Sequence, residues 1–190
     1  FAQYCRDTGL RVDLVSLTDY HNDVIGDSLA VARAMRDRFG DGALWGVRID
    51  TSERLVDRSL QAEAMRSPEL RLNGVCPELV QRLRSAFDRE GFSYVRIGVS
   101  GGFHVRKIER FEAEHVPVDF YGVGSSLLGH NDGDVDGLAN NFDFNDAVVR
   151  VDGRAESKTG RQERANDRFV RVDHAQLARL DERARDERGI

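Results

Sequence analysis

Short apolar runs alternate with amphipathic stretches along most of the chain. Residues 12–18, VDLVSLT, form an apolar run that ends at Asp19. Over 23–39, Leu29, Ala32, Met35 and Phe39 recur near helical spacing, and Gly40 supplies a stop signal. Residues 43–49, ALWGVRI, predict a second strand that ends at Asp50. Residues 51–75 hold Leu55, Val56, Leu60 and Met65 without a clear period and read as broken helix or loop. Pro77 suits the first turn of a helix running to about Arg89, with Leu79, Val80, Leu83, Ala86 and Phe87 on its buried side. Residues 93–99, SYVRIGV, predict a third strand, a helix carrying Val105, Ile108 and Phe111 follows, and VDFYGV at 118–123 predicts a fourth strand.

Strands alternating with helices across short links predict an α/β class with a parallel sheet. Four such units do not close an eight-stranded barrel, which takes about 250 residues. The local pattern therefore fits either half a barrel or a small doubly wound sheet. The pattern then changes. Residues 129–146 are rich in Gly, Asp and Asn and read as a long loop. AVVRVDG at 147–153 and RFVRVD at 168–173 read as two strands flanking a polar stretch. The division expected is thus 1–146, an α/β unit; 147–173, a β segment; and 174–190, a charged helical tail with Leu177, Ala178 and Leu180 as its apolar residues.

Composition narrows the function classes. The 190 residues carry a formal net charge of −5, so no global basic field draws nucleic acid, and a polyanionic substrate needs a local cationic pocket. No apolar run approaches the ~20 residues a bilayer crossing takes, and the opening residues, with Arg6 and Asp7, lack the apolar stretch of a signal peptide. The start at Phe1 suggests a sequence beginning in mid-fold. Cys5 and Cys76 have no metal-ligand spacing and read as reduced thiols of a cytoplasmic protein.

The candidate chemistry sits at strand ends, where α/β folds bind ligands. In ALWGVRID, alternation puts Arg48 and Asp50 on one face at the end of a strand. An Arg there can fork onto a phosphate or carboxylate, and an Asp can accept ribose hydroxyls; a structural ion pair is the plain alternative. Two glycine-rich turns follow the next two strands: Ser100-Gly101-Gly102-Phe103 and Gly122-Val123-Gly124-Ser125-Ser126. Glycines let a ligand approach the backbone, and free N–H groups at a helix start bind anions. Ser125 and Ser126 are candidates to cap that helix and to donate to a phosphate. Two consecutive loops of this kind fit the phosphate site of sugar-phosphate barrels.

Longer strings make the reading specific. GVRIDTSERLVDRSL, GFSYVRIGVSGGFHVRKIERFE and VPVDFYGVGSSLLGHNDG resemble barrel segments of bacterial nicotinate phosphoribosyltransferases, a type II phosphoribosyltransferase family related to quinolinate phosphoribosyltransferase. LTDYHNDV resembles the preceding strand end, and DFNDAVVRVDGR with KTGRQERANDRFVRV resembles the segment after the barrel. Together these cover most of residues 14–173 in order.

The resemblance implies the C-terminal portion of such an enzyme. Its fold would be a partial TIM-like α/β barrel, followed by a short β segment of the mixed accessory domain and a helical tail. The implied reaction joins nicotinate to phosphoribosyl pyrophosphate, releasing pyrophosphate and coupling to ATP hydrolysis in NAD salvage. It implies that Asp50 faces the ribose and that Arg48 faces the ring or phosphates, with Asp19 lining the same mouth. The turns around Gly101 and Gly102, and Gly124 and Ser125, would hold the 5′-phosphate. Positive charge builds on the sugar as pyrophosphate leaves, so preorganised groups matter more than proton transfer. Mg2+ on the pyrophosphate would neutralise the leaving group. Small molecules are the implied partners, with a homodimer for the full-length enzyme. The family's phosphorylated histidine has no counterpart, since His21 lies past that position, so a fragment inactive alone is expected. Another pyridine base, nicotinamide or quinolinate, and a non-catalytic sugar-phosphate-binding remnant are the alternatives.

Asp132, Asp134, Asp136, Gly137 and Asp143 match a calcium-loop spacing. The twelfth position is Asp rather than Glu and no helix pair flanks it, so a solvated insertion is the expectation. His104, at a loop tip, reads as solvated.

Overall fold

Gly46–Ile49 forms the centre of the fold because Val47 and Ile49 are apolar and alternate with Gly46 and Arg48. The computed structural model describes residues 1–124, 126, 150, 151, 154, 155, 158 and 159. Within it, β1 (Val15–Leu17), β2 (Gly46–Ile49), β3 (Arg96–Val99) and β4 (Phe120–Tyr121) form one parallel sheet in the order β1-β2-β3-β4. Each strand is shorter than its apolar run, because ladder bonds form only where neighbours overlap. Val15–Leu17 pairs with Gly46–Arg48, and β4 engages only Gly98 and Val99.

Before the sheet comes a helix that the pattern does not announce, α1 (Ala2–Thr8), which buries Cys5 and ends at Gly9. Helix α2 (Val24–Phe39) begins where the Asp23 side chain accepts from the Gly26 N–H, a side-chain N-cap. The stretch without a clear period resolves into a 3-10 turn (Arg58–Leu60), a short helix α3 (Gln61–Arg66) and a bridge between Val56 and Asn73. Helix α4 (Pro77–Arg89) has Pro at its first position and buries the five apolar residues its spacing predicts. Helix α5 (Val105–Ala113) carries Val105, Ile108 and Phe111 as expected; Val105 is exposed, and Phe103 before the helix is buried against Phe111, ring centroids 5.0 Å apart.

A buried carboxylate organises the irregular stretch. Asp57 accepts from the Val24 N–H at 2.8 Å, the Ser59 N–H at 2.8 Å and the Ser59 hydroxyl at 2.6 Å. It therefore caps the 3-10 turn and satisfies an orphan donor of the α2 N-terminus together. Asn22, in left-handed backbone at φ 55, donates to the Val56 carbonyl and accepts from the Arg58 N–H. The loop between β1 and α2 is thus tied to the segment after β2.

Strand order decides how the faces are used. In a sheet whose strands run in sequence order there is no reversal point, and crossovers of one hand fall on one face. Val47, Ile49, Ile97 and Val99 are buried with α2, α4 and α5 residues in one core. Val15, Leu17, Arg48 and Arg96, on the opposite face by register, are exposed, and Phe120 is half-buried there. Among the described residues no helix covers that face, whereas both faces of a doubly wound sheet carry helices.

Beyond the sheet, β5 (Arg150–Val151) and β6 (Arg154–Ala155) form an antiparallel pair. The first lies in the expected 147–153 strand. The expected loop 129–146 with its calcium-like spacing, the strand 168–173, the tail 174–190 and Ser125 lie outside the described residues.

Candidate functional site at the strand ends

Register carries past the strands and builds a row. Leu17 pairs with Arg48, Ile49 with Val99, and Val99 with Tyr121. Extending each pairing puts Asp19 beside Asp50, Asp50 beside Ser100, and Ser100 beside Gly122. Backbone bonds continue in the same direction: the Thr18 N–H reaches the Arg48 carbonyl, the Ser100 N–H the Ile49 carbonyl, and the Gly122 N–H the Val99 carbonyl. Four predicted site residues from four strands thus share one edge of the sheet.

The row is hydrogen-bonded across. Ser100 Oγ donates to Asp50 Oδ1 at 2.9 Å. Lys158 Nζ donates to the Asp50 main-chain carbonyl at 2.7 Å and pairs with Asp19 Oδ2. The Asp19 side chain is 0% exposed, and its Oδ1 has no hydrogen-bond partner among the described residues. Burial pushes the Asp19 carboxyl above its ordinary value, the Lys158 ammonium pulls it back, and the Asp50 charge adds to the rise.

The first glycine turn fits its neighbours closely. Gly101 and Gly102 both have left-handed backbone, φ 88 and 67, which an L side chain rarely adopts. A Cβ on Gly101 would lie 3.1 Å from Asp50 Oδ1, and one on Gly102 2.9 Å from Glu53 Oε1. Among the described residues, no hydrogen bond engages the N–H groups of Gly101 and Gly102. Lys107 stands behind the turn: its ammonium donates to the Gly101 carbonyl at 3.1 Å, lies 3.7 Å from Glu53 Oε1 and sits over the Phe103 ring. Burial lowers the Lys107 pKa, and Glu53 opposes that shift.

In the second turn, a Cβ on Gly122 would come 3.0 Å from Ser100 Cβ, whereas one on Gly124 would meet nothing within 4 Å among the described residues. Ser126 Oγ donates to the Phe103 carbonyl at 3.0 Å. Its single proton thereby ties the two turns together, a use the capping expectation did not include.

Arg48 stands apart from this network. It is exposed on the open face, and among the described residues it forms no ion pair with Asp50. The plain structural alternative, a strand-end ion pair between the two, is not what the fold makes. His104 is exposed. His21 pairs with Asp27 through Nδ1 at 2.9 Å, on the exposed α2 entry.

Sequence reasoning did not single out Lys158, Lys107, Glu53 or Asp57. Lys158 opens the KTGRQERANDRFVRV stretch, and that string is its one signal in the sequence. No group of three or more His, Cys, Asp or Glu side chains that could hold a metal is found among the described residues. No helix among them is long and apolar enough to cross a membrane.

No protein-family profile and no curated protein matches the sequence. Among solved structures, the chain is similar to nicotinate-nucleotide pyrophosphorylase from Pyrococcus furiosus, with a TM-score of 0.43 and 23% identity. That match takes in 65% of this chain and 26% of the other, so the chain spans about a quarter of the neighbour's length.

Proposed function

We propose that the strand-end row is the ribose and phosphate side of a phosphoribosyl-transfer site, on an arc of an α/β barrel whose interior face carries Arg48. The observation that carries this reading is the juxtaposition of Asp19, Asp50, Ser100 and Gly122 at one sheet edge. The reaction is the one its sequence strings imply: nicotinate and phosphoribosyl pyrophosphate give nicotinate mononucleotide and pyrophosphate, with ATP hydrolysis coupled to the step.

The chemistry follows from what each group can do. Ser100 fixes Asp50 Oδ1, so the second carboxylate oxygen remains to accept ribose hydroxyls. As pyrophosphate leaves, the sugar gains positive charge, which the Asp50 carboxylate would face, while Asp19, buried and paired with Lys158, lies behind it. The N–H groups of Gly101 and Gly102, with the turn at Gly124, suit the 5′-phosphate. Ser125 belongs to the same proposed phosphate loop, and Ser126 supports it by joining the turns. Arg48 offers a planar, two-pronged cation to the pyridine carboxylate or a phosphate. Mg2+ would arrive on the pyrophosphate group, the usual manner for an ion that keeps waters and takes few protein ligands. A homodimer in the cytoplasm completes the proposal.

Calorimetry with phosphoribosyl pyrophosphate and Mg2+ tests the site, and product formation with nicotinate, nicotinamide or quinolinate, with and without ATP, tests the base. Saturable binding lost in Asp50→Ala is expected. Absence of binding by the intact protein would remove this reading, and ATP-independent turnover of quinolinate would replace the base.

A further inference from the structure

Lys158 lies 108 positions beyond Asp50 in sequence, yet it closes the row. Its ammonium touches two strand ends at once: the Asp19 carboxylate after β1 and the Asp50 main-chain carbonyl after β2. The next residue repeats the contact, because the Thr159 N–H donates to the Tyr20 carbonyl at 2.9 Å. Two adjacent residues of a distant segment are therefore fastened to the two strand ends that carry the carboxylates.

The charge balance explains why a cation belongs there. Asp19 and Asp50 are neighbours in one register row, and the Asp50 charge disfavours ionisation of Asp19. The Asp19 side chain is fully buried and the Lys158 side chain is 17% exposed, so water screens the pair weakly. Without the ammonium, Asp19 would take up a proton or the two strand ends would part.

We propose, resting on the phosphoribosyl-transfer reading, that Lys158 is a positioning residue of the site: it cross-links the β1 and β2 ends and sets where the Asp50 carboxylate meets the sugar. It acts through Asp19 and the Asp50 backbone, not by touching the reacting bond. Among the described residues, the charged groups facing Asp19 are Lys158 and Asp50.

The test compares the intact protein with Lys158→Met and Lys158→Arg. In a folded Lys158→Met variant, kcat falls by about tenfold or more while KM for phosphoribosyl pyrophosphate changes less. The acid limb of its kcat profile moves to higher pH, because Asp19 has lost its cation. Lys158→Arg keeps the charge and restores part of both. A purely structural role lowers the melting temperature and leaves kcat and the acid limb per folded molecule unchanged, and that result overturns the proposal. A second readout is independent of turnover and separates this proposal from the functional reading: carboxyl 13C titration of Asp19 and Asp50. If the wild type binds no phosphoribosyl pyrophosphate, the functional reading fails, and the titration still decides the cross-link. Asp19 should titrate higher in Lys158→Met, or in Lys158→Gln if the former does not fold; an unchanged titration overturns it.

Discussion

Ser100 and Asp50 occupy paired positions just beyond β3 and β2, and the Ser100 hydroxyl donates to one Asp50 carboxylate oxygen at 2.9 Å. That bond holds the carboxylate at the end of the sheet, and among the described residues no hydrogen bond engages its second oxygen. In the full-length enzyme, Asp50→Ala should therefore cut kcat/KM strongly while leaving the fold intact. The loss of a hydrogen bond to a charged group costs about 1.5–3 kcal/mol, or roughly 10- to 100-fold. Ser100→Ala should lose less, because it removes the orientation and keeps the charge. Paired steady-state kinetics check the order of the two effects, and equal near-wild-type rates would remove Asp50 from the site.

Arg48→Lys should raise KM for the pyridine carboxylate or the phosphoribosyl donor, because an ammonium does not reproduce a two-pronged contact. Its melting temperature should stay near that of the wild type, since Arg48 is exposed and forms no ion pair with Asp50. A clear fall in melting temperature with unchanged KM would show Arg48 to be structural.

What the sequence disclosed depended on range. The α4 face was legible because Pro77 and the apolar spacing agree within one element. The row Asp19, Asp50, Ser100 and Gly122 was legible as strand ends, but its alignment needed the register between strands. The stretch 51–75 was opaque because its order comes from Asp57 bonding to Val24, 33 residues earlier, and not from local period. Lys158 was invisible as a site residue for the same reason. The packing of Phe103 on Phe111 was not legible, because Phe103 precedes the helix and lies outside its period.

Asp57→Ala should destabilise the fold by about 2–3 kcal/mol, as the loss of bonds to a buried charged acceptor leaves the Val24 and Ser59 N–H groups unpaired. Chemical denaturation measures it. Because Asp57 also anchors the α2 entry next to Asp19, hydrogen exchange should speed up at Val24 first.

Gly98 faces the open side of the sheet with the Phe120 ring over it, and a Cβ there would lie 2.1 Å from that ring. Gly98→Ala should cost about 1–3 kcal/mol as the ring is forced away. The ring also packs against Trp45 at 5.3 Å, so tryptophan fluorescence should shift. Adding Phe120→Leu should recover most of the stability, and failure to do so would mean that strain lies in the backbone.

Lys158→Met should carry a stability deficit that depends on pH in a definite direction. Removing one partner of a buried pair costs about 3–5 kcal/mol, with the lower end apt here because Lys158 retains some solvent contact. Asp19 already has a raised carboxyl pKa in the folded protein because of burial, and losing the ammonium raises it further. A raised folded pKa means that the folded state binds the proton more tightly than the unfolded state does. Stability from that proton is fully present below the unfolded carboxyl range and is lost as pH rises through the folded value. The variant should thus be weakest relative to wild type at neutral and alkaline pH, and the gap should narrow as acid protonates Asp19. Melting curves of both proteins from pH 8 down to about pH 5 measure the gap. A gap that stays constant, or widens in acid, would show that Lys158 does not support the Asp19 charge.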